Sequence, residues 1–195
     1  MRSREVALVS ALLALASVAH YLARFTQIGG MQMAPSIAFY CMIPLLLRNL
    51  SWRETIMIGL INGILLSIAT SSPFPLANIP SHWIGLVIPK LFVEAFKRSV
   101  GVKLVAASIA TSIIVNGPIF ILAAYYGMIN VPQLAVSSTA VERFRARFTT
   151  LTAFFTYGMT FVVIPTLILD AFILGPALYA ALKPALARYG FIEVG

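Results

Sequence analysis

The chain has 195 residues, 60% of them hydrophobic and 10% charged, with a mean hydropathy of +0.94. A soluble domain carries about 25% charged and about 45–50% apolar residues, so a water-facing surface is excluded, and the expected fold class is an all-α integral membrane bundle of about six spans forming one transmembrane domain. The net charge of +8 does not point to nucleic acid, because the basic residues sit in short clusters at the ends of apolar runs.

In chain order the apolar runs are Val6–Ala23, Pro35–Leu47, Thr55–Thr70, His82–Phe96, Leu104–Tyr126 and a long region from Thr149 to Ala187. Arg2 and Arg4 ahead of the first run resemble a signal peptide, but the remaining sequence is equally membranous and the run reads as a retained first span. The second run is short for a crossing of ~20 residues, and the last is too long for one straight crossing. Pro165 is expected to divide it into Thr149–Val163, folded near one membrane face, and a last span over Thr166–Ala187.

Placing the N-terminus in the cytoplasm puts Arg2, Arg4, Arg48, Arg53, Lys97, Arg98, Lys103, Lys183 and Arg188 inside. Only Arg24, Arg143, Arg145 and Arg147 fall outside, so both termini of a multi-pass cell-membrane protein are expected to be cytoplasmic. Three of the outer arginines lie in Val141–Phe148, which reads either as an amphipathic helical turn on the headgroups or as a solvated loop.

The sequence has no Gly-x-x-x-x-Gly-Lys-Ser/Thr loop, no His-Glu-x-x-His and no Gly-x-Ser-x-Gly. An ATPase is excluded, an enzyme is not expected, and neither cofactor nor metal is called for. Cys41, the single cysteine, reads as a buried packing residue. Polar residues inside the runs must find partners or line a cavity: His20, Asn62, Lys90, Glu94, Asn116 and Asp170. Lys90 and Glu94, four apart, pair with each other, or Lys90 faces a cavity. Asn62-Gly63 and Asn116-Gly117 suit close helix packing or ligand contact. The stretch Phe74 to Trp83 combines a stiff backbone with Asn78, His82 and Trp83, a mixture fit for a small-molecule pocket, with Trp83 equally fit as an interfacial anchor. Ala7, Ala11 and Ala14 form a small-residue face on the first run, suited to internal packing or to docking a partner helix.

The stretches Gly29-Gly30-Met31, Ile58-Gly59-x-x-x-Gly63-Ile64, Phe74-Pro75 with Asn78-Ile79-Pro80, and Val162-Val163-Ile164-Pro165 leading to Leu169-Asp170 occur in an order that covers most of the chain. In that order the chain resembles the substrate-binding S components of energy-coupling-factor transporters, most of all those for tryptophan. It departs from them where the relatives carry an Asn and an Asp-Lys pair, the corresponding positions being Ser81, Ile84 and Gly85, and where Asn130–Thr150 reads as an insertion. The resemblance implies capture of a small solute, a tryptophan-like amino acid or a vitamin-like compound, from outside. Asn78 and His82 would then give hydrogen bonds, Trp83 stacking, Gln32 a loop lid, and Asp170 or Asn116 the floor. It further implies docking through Ala7, Ala11 and Ala14 onto a transmembrane coupling subunit driven by two ATPases. A stand-alone carrier and a non-catalytic membrane scaffold are the competing readings.

Overall fold

The computed structural model describes residues 1–26, 33–96 and 100–188. Among these, all regular structure is helical: α1 Ser3–Leu22, α2 Ser36–Leu46, α3 Trp52–Ala69, α4 Asn78–Ala95, α5 Val102–Asn130, α6 Ser138–Arg147 and α7 Leu151–Arg188. Five of these helices (α1, α3, α4, α5 and α7) are long and apolar enough to cross a membrane. The chain is an all-α membrane protein, but α2 departs from the expectation of six full spans.

At 11 residues, α2 is only roughly 17 Å long, against a hydrocarbon core of ~30 Å. All of its residues except Phe39 are buried. It is apolar all round because it stands inside the bundle, with α1, α4 and α7 among the helices packed around it. A helix buried at its ends needs partners for its terminal amides and carbonyls. Its own N-cap, Pro35, gives none. The partners come from α7 instead: Thr166 Oγ1 accepts from the Ala34 amide at 3.1 Å and Asp170 Oδ2 from the Ala38 amide at 2.9 Å. Thr166 and Asp170 are four apart, so one face of α7 caps α2. Beyond the other end of α2, the Lys90 ammonium donates to the Arg48 carbonyl at 3.4 Å and to Glu94 at 2.6 Å. The expected Lys90–Glu94 pair is thus present, and Lys90 serves that end of the bundle.

The last region corrects the sequence reading. Pro165 does not divide it: α7 runs unbroken over 38 residues. Proline lacks the N–H for the bond to the carbonyl four residues back. The helix absorbs the loss by widening to i→i+5 turns over Met159–Val163 and Leu167–Leu174 on either side. At roughly 57 Å, α7 is longer than the hydrocarbon core is thick.

Close approach elsewhere is set by glycine. A Cβ on Gly63 of α3 would come within 2.8 Å of the Ile79 backbone on α4, and one on Gly117 of α5 would strike Val163 of α7. The Asn62-Gly63 and Asn116-Gly117 steps therefore do mark close helix contacts. Asn62 is fully buried with no partner for either amide atom among the described residues. On α1 the buried face is Val9, Leu12, Leu13, Ala16 and His20, while Ala7, Ala11 and Ala14 are exposed, so these three alanines do not pack internally.

Asp170→Ala is expected to remove a cap from a buried helix end and lower stability by about 1–3 kcal/mol. Asp170→Asn, which keeps an acceptor oxygen, should cost less. Thermal unfolding in detergent, with wild type as reference, measures both.

Candidate functional site

A cavity of about 470 Å³ opens at one end of the bundle, within the size range of small-molecule sites. Each element contributes through its helical spacing. On α5 the wall is the stripe Ile113, Asn116, Gly117, Phe120, Ala124 and Met128. On α4 it is Asn78, Ser81 and His82, one turn at the start of the helix, and on α1 it is His20 at the end. The connection from α3 to α4 adds Thr70 to Pro73, so the proline-rich loop does form part of the site. That loop is shorter than expected, because a tight turn over Pro75–Ala77 passes directly into α4 at Asn78.

The base of the cavity is a hydrogen-bonded chain with one self-consistent direction. Asn116 Nδ2 donates to the Tyr40 hydroxyl at 3.1 Å. The hydroxyl lies 3.1 Å from His82 Nδ1 and donates to that nitrogen, because the Asn78 end of the chain fixes Nε2 as the N–H of the ring. His82 Nε2 then carries the ring proton and donates to Asn78 Oδ1 at 3.1 Å, and Asn78 Nδ2 donates to the Pro75 carbonyl at 2.8 Å. One tautomer of His82 thus satisfies both of its ring nitrogens. His20 stands edge-on to His82 with ring centroids 5.6 Å apart, and its Nδ1 is 3.2 Å from Ser36 Oγ. The chain fits only because position 85 is glycine: a Cβ there would lie 2.6 Å from the Tyr40 hydroxyl and 2.7 Å from Asn116 Nδ2. The Gly85 carbonyl accepts from Ser112 Oγ at 2.6 Å, which fixes the two backbones against each other.

The roof is α6, confirming the helical reading of Val141–Phe148. Ser137 caps its first turn, accepting from the Ala140 amide. Val141 and Phe144 are buried beneath it. Rings hold it down: Phe144 and Phe148 lie 5.0 and 4.9 Å from Phe154 of α7. The Val136 amide bonds the Pro73 carbonyl at 3.1 Å, tying the segment before α6 to the α3–α4 loop. Arg143 and Arg147, both exposed, line the mouth. Arg147 donates to the Tyr157 hydroxyl at 2.9 Å and lies over that ring at 4.6 Å.

Of the residues expected at a pocket, Asn78, His82 and Asn116 line this cavity together. Trp83 does not. One residue after His82 it is turned about 100° around the helix and faces α3, where a Cβ on Gly59 would come 2.8 Å from its Cδ1. Asp170 is also absent from the wall; it lies one turn beyond Thr166, which does line the cavity, and is spent on capping α2. Lys90 and Asn62 do not line the cavity either. Gln32 lies outside the described residues, as do Gly29-Gly30-Met31. Sequence reasoning missed Tyr40, Ser36, Thr166 and the rings under α6. Tyr40 carried a signal, a phenol inside an apolar run, since a buried hydroxyl needs a partner. No protein-family model matches the chain, and no curated protein or solved structure does.

Gly85→Ala is expected to push the Tyr40 hydroxyl and the Asn116 amide apart. Tyr40→Phe should leave His82 Nδ1 without its donor, at a cost of about 1–3 kcal/mol. Both variants should lower the unfolding temperature, and an unchanged Tyr40→Phe would overturn the hydrogen-bonded chain at the base.

Proposed function

We propose that the protein captures a small solute within the membrane and depends on separate subunits for energy, as the resemblance to energy-coupling-factor S components implies. The observation that carries this reading is the cavity: one end of a membrane bundle encloses a small-molecule-sized chamber with apolar walls and a fixed polar base. The sequence supplies no phosphate-binding loop to drive movement. The exposed Ala7, Ala11 and Ala14 face of α1 offers a surface where a coupling subunit's helix can approach closely. The excess of basic residues at the end opposite the cavity supports a mouth that faces outward and termini in the cytoplasm of a cell-membrane protein. The transmembrane coupling subunit and its two ATPases are partners in this proposal, and a tryptophan-like or vitamin-like compound is the solute.

Purified protein in mild detergent, screened by thermal unfolding against aromatic amino acids and water-soluble vitamins, tests the capture step. A ligand at 100 times its Kd should add ~2.7 kcal/mol to the unfolding free energy. His82→Ala should remove that shift. Ala11→Trp should leave binding intact and abolish uptake in cells that carry the ATPase module. Uptake in vesicles lacking any ATPase would instead favour a stand-alone carrier, and a folded protein that no compound stabilises would favour a scaffold.

A further inference from the structure

We infer that the cavity selects a net-anionic, ring-bearing solute, a carboxylic acid without a charged amine, and reads its carboxylate with Arg143 and Arg147. The inference rests on the reading of the cavity as a solute site and narrows it. The ionisable side chains that line the cavity are two arginines, two histidines and the phenol of Tyr157; no aspartate or glutamate among the described residues does so. The sequence of the segment 27–32 that leads toward α2 contains no acidic residue either.

The two arginines are placed for one group. Four apart on α6, they sit one turn above each other on the same face of that helix. Arg143 has no side-chain partner among the described residues, and its neighbour Glu142 does not line the cavity. The Arg147 guanidinium is held in position by Tyr157. Guanidinium pairs of this kind bind carboxylates through short charge-assisted bonds. Beside and beneath them the lining is aromatic, with Phe144 and Phe148 from α6 and its end, Phe120 from α5 and Phe154 from α7, which suits a ring. The base offers neutral hydrogen-bonding groups. An ammonium inside this chamber would meet two cations and no counter-charge, so a zwitterionic amino acid is disfavoured against the acid of the same ring. The anionic group could equally be carried by a lipid headgroup, because α6 lies at the mouth, and the test separates the two sources.

The experiment uses the full chain in detergent, with thermal unfolding and titration of matched probes: indole-3-propionate with its amide, nicotinate with nicotinamide, then L-tryptophan and tryptamine. At least one acid should stabilise the protein, with its amide and tryptamine weaker by roughly tenfold to a hundredfold. Arg143→Gln with Arg147→Gln should weaken the acid by the same factor, and Arg143→Gln alone should do so in part if the double variant folds poorly. Arg143→Lys with Arg147→Lys should retain some affinity. Arg53→Gln, exposed at the opposite end, should change nothing. Equal binding of acid and amide, or an acid unaffected by either glutamine variant, overturns anion selection while leaving solute capture standing. Stabilisation by phosphatidylglycerol that the double glutamine variant loses, with no response to any free acid, assigns the arginines to headgroups and overturns the inference. No response to any probe, acid, amide or amine, in folded protein counts against solute capture itself and removes the inference with it.

Discussion

A helix too short to cross the membrane stands at the centre of this protein, and the bundle is arranged to satisfy its ends. In water, the free amides and carbonyls of α2 would be solvated. In the middle of a membrane bundle they must be met by side chains from other helices. An acidic side chain, Asp170, meets the amino end, and an ammonium, Lys90, donates just beyond the carboxyl end. An acceptor at the amino end and a donor beyond the carboxyl end are what the orphan groups of a helix require. Asp170 and Lys90, the buried residues among the described Asp, Glu, Lys and Arg, are therefore explained by one helix. The positions of α4 and α7 relative to α2 follow from the same requirement.

The cavity is a by-product of that arrangement as well as a candidate site. Because α2 stops short, the space above its amino end is left to the ends of α1 and α4, the middle of α5 and the upper half of α7. Thr166 belongs to both structures: it accepts from the amide just before α2 and lines the chamber. Tyr40 belongs to both as well, buried in α2 and joined to His82 and Asn116 at the chamber's base. The base of the chamber and the packing of the central helix therefore share the Tyr40 side chain.

Much of this was legible in the sequence, and the rest failed for identifiable reasons. The apolar runs located the spans because lipid-facing helices must be apolar throughout. Asn78, His82 and Asn116 were recognisable because each is a polar group on a helix that has few others. Trp83 misled because adjacent residues on a helix face different neighbours, and spacing along the chain does not say which face meets α3. Asp170 misled because a buried acid signals a need for partners without saying whether a ligand or a backbone supplies them. Pro165 misled because a proline break can be absorbed by wider turns, an adjustment that depends on neighbouring helices. The arginines of α6 were visible as charges on an amphipathic segment, but their place over a cavity depends on rings that lie in two separate helices.

The direction of the hydrogen bonds at the chamber's base has one more consequence. The Tyr40 hydroxyl accepts a hydrogen bond from the Asn116 amide nitrogen, so the orientation of that carboxamide is fixed. Its oxygen accepts no hydrogen bond from any described residue and Asn116 lines the chamber, so the base presents an acceptor while the guanidinium groups at the mouth present donors. The chamber thus has a polarity along its length.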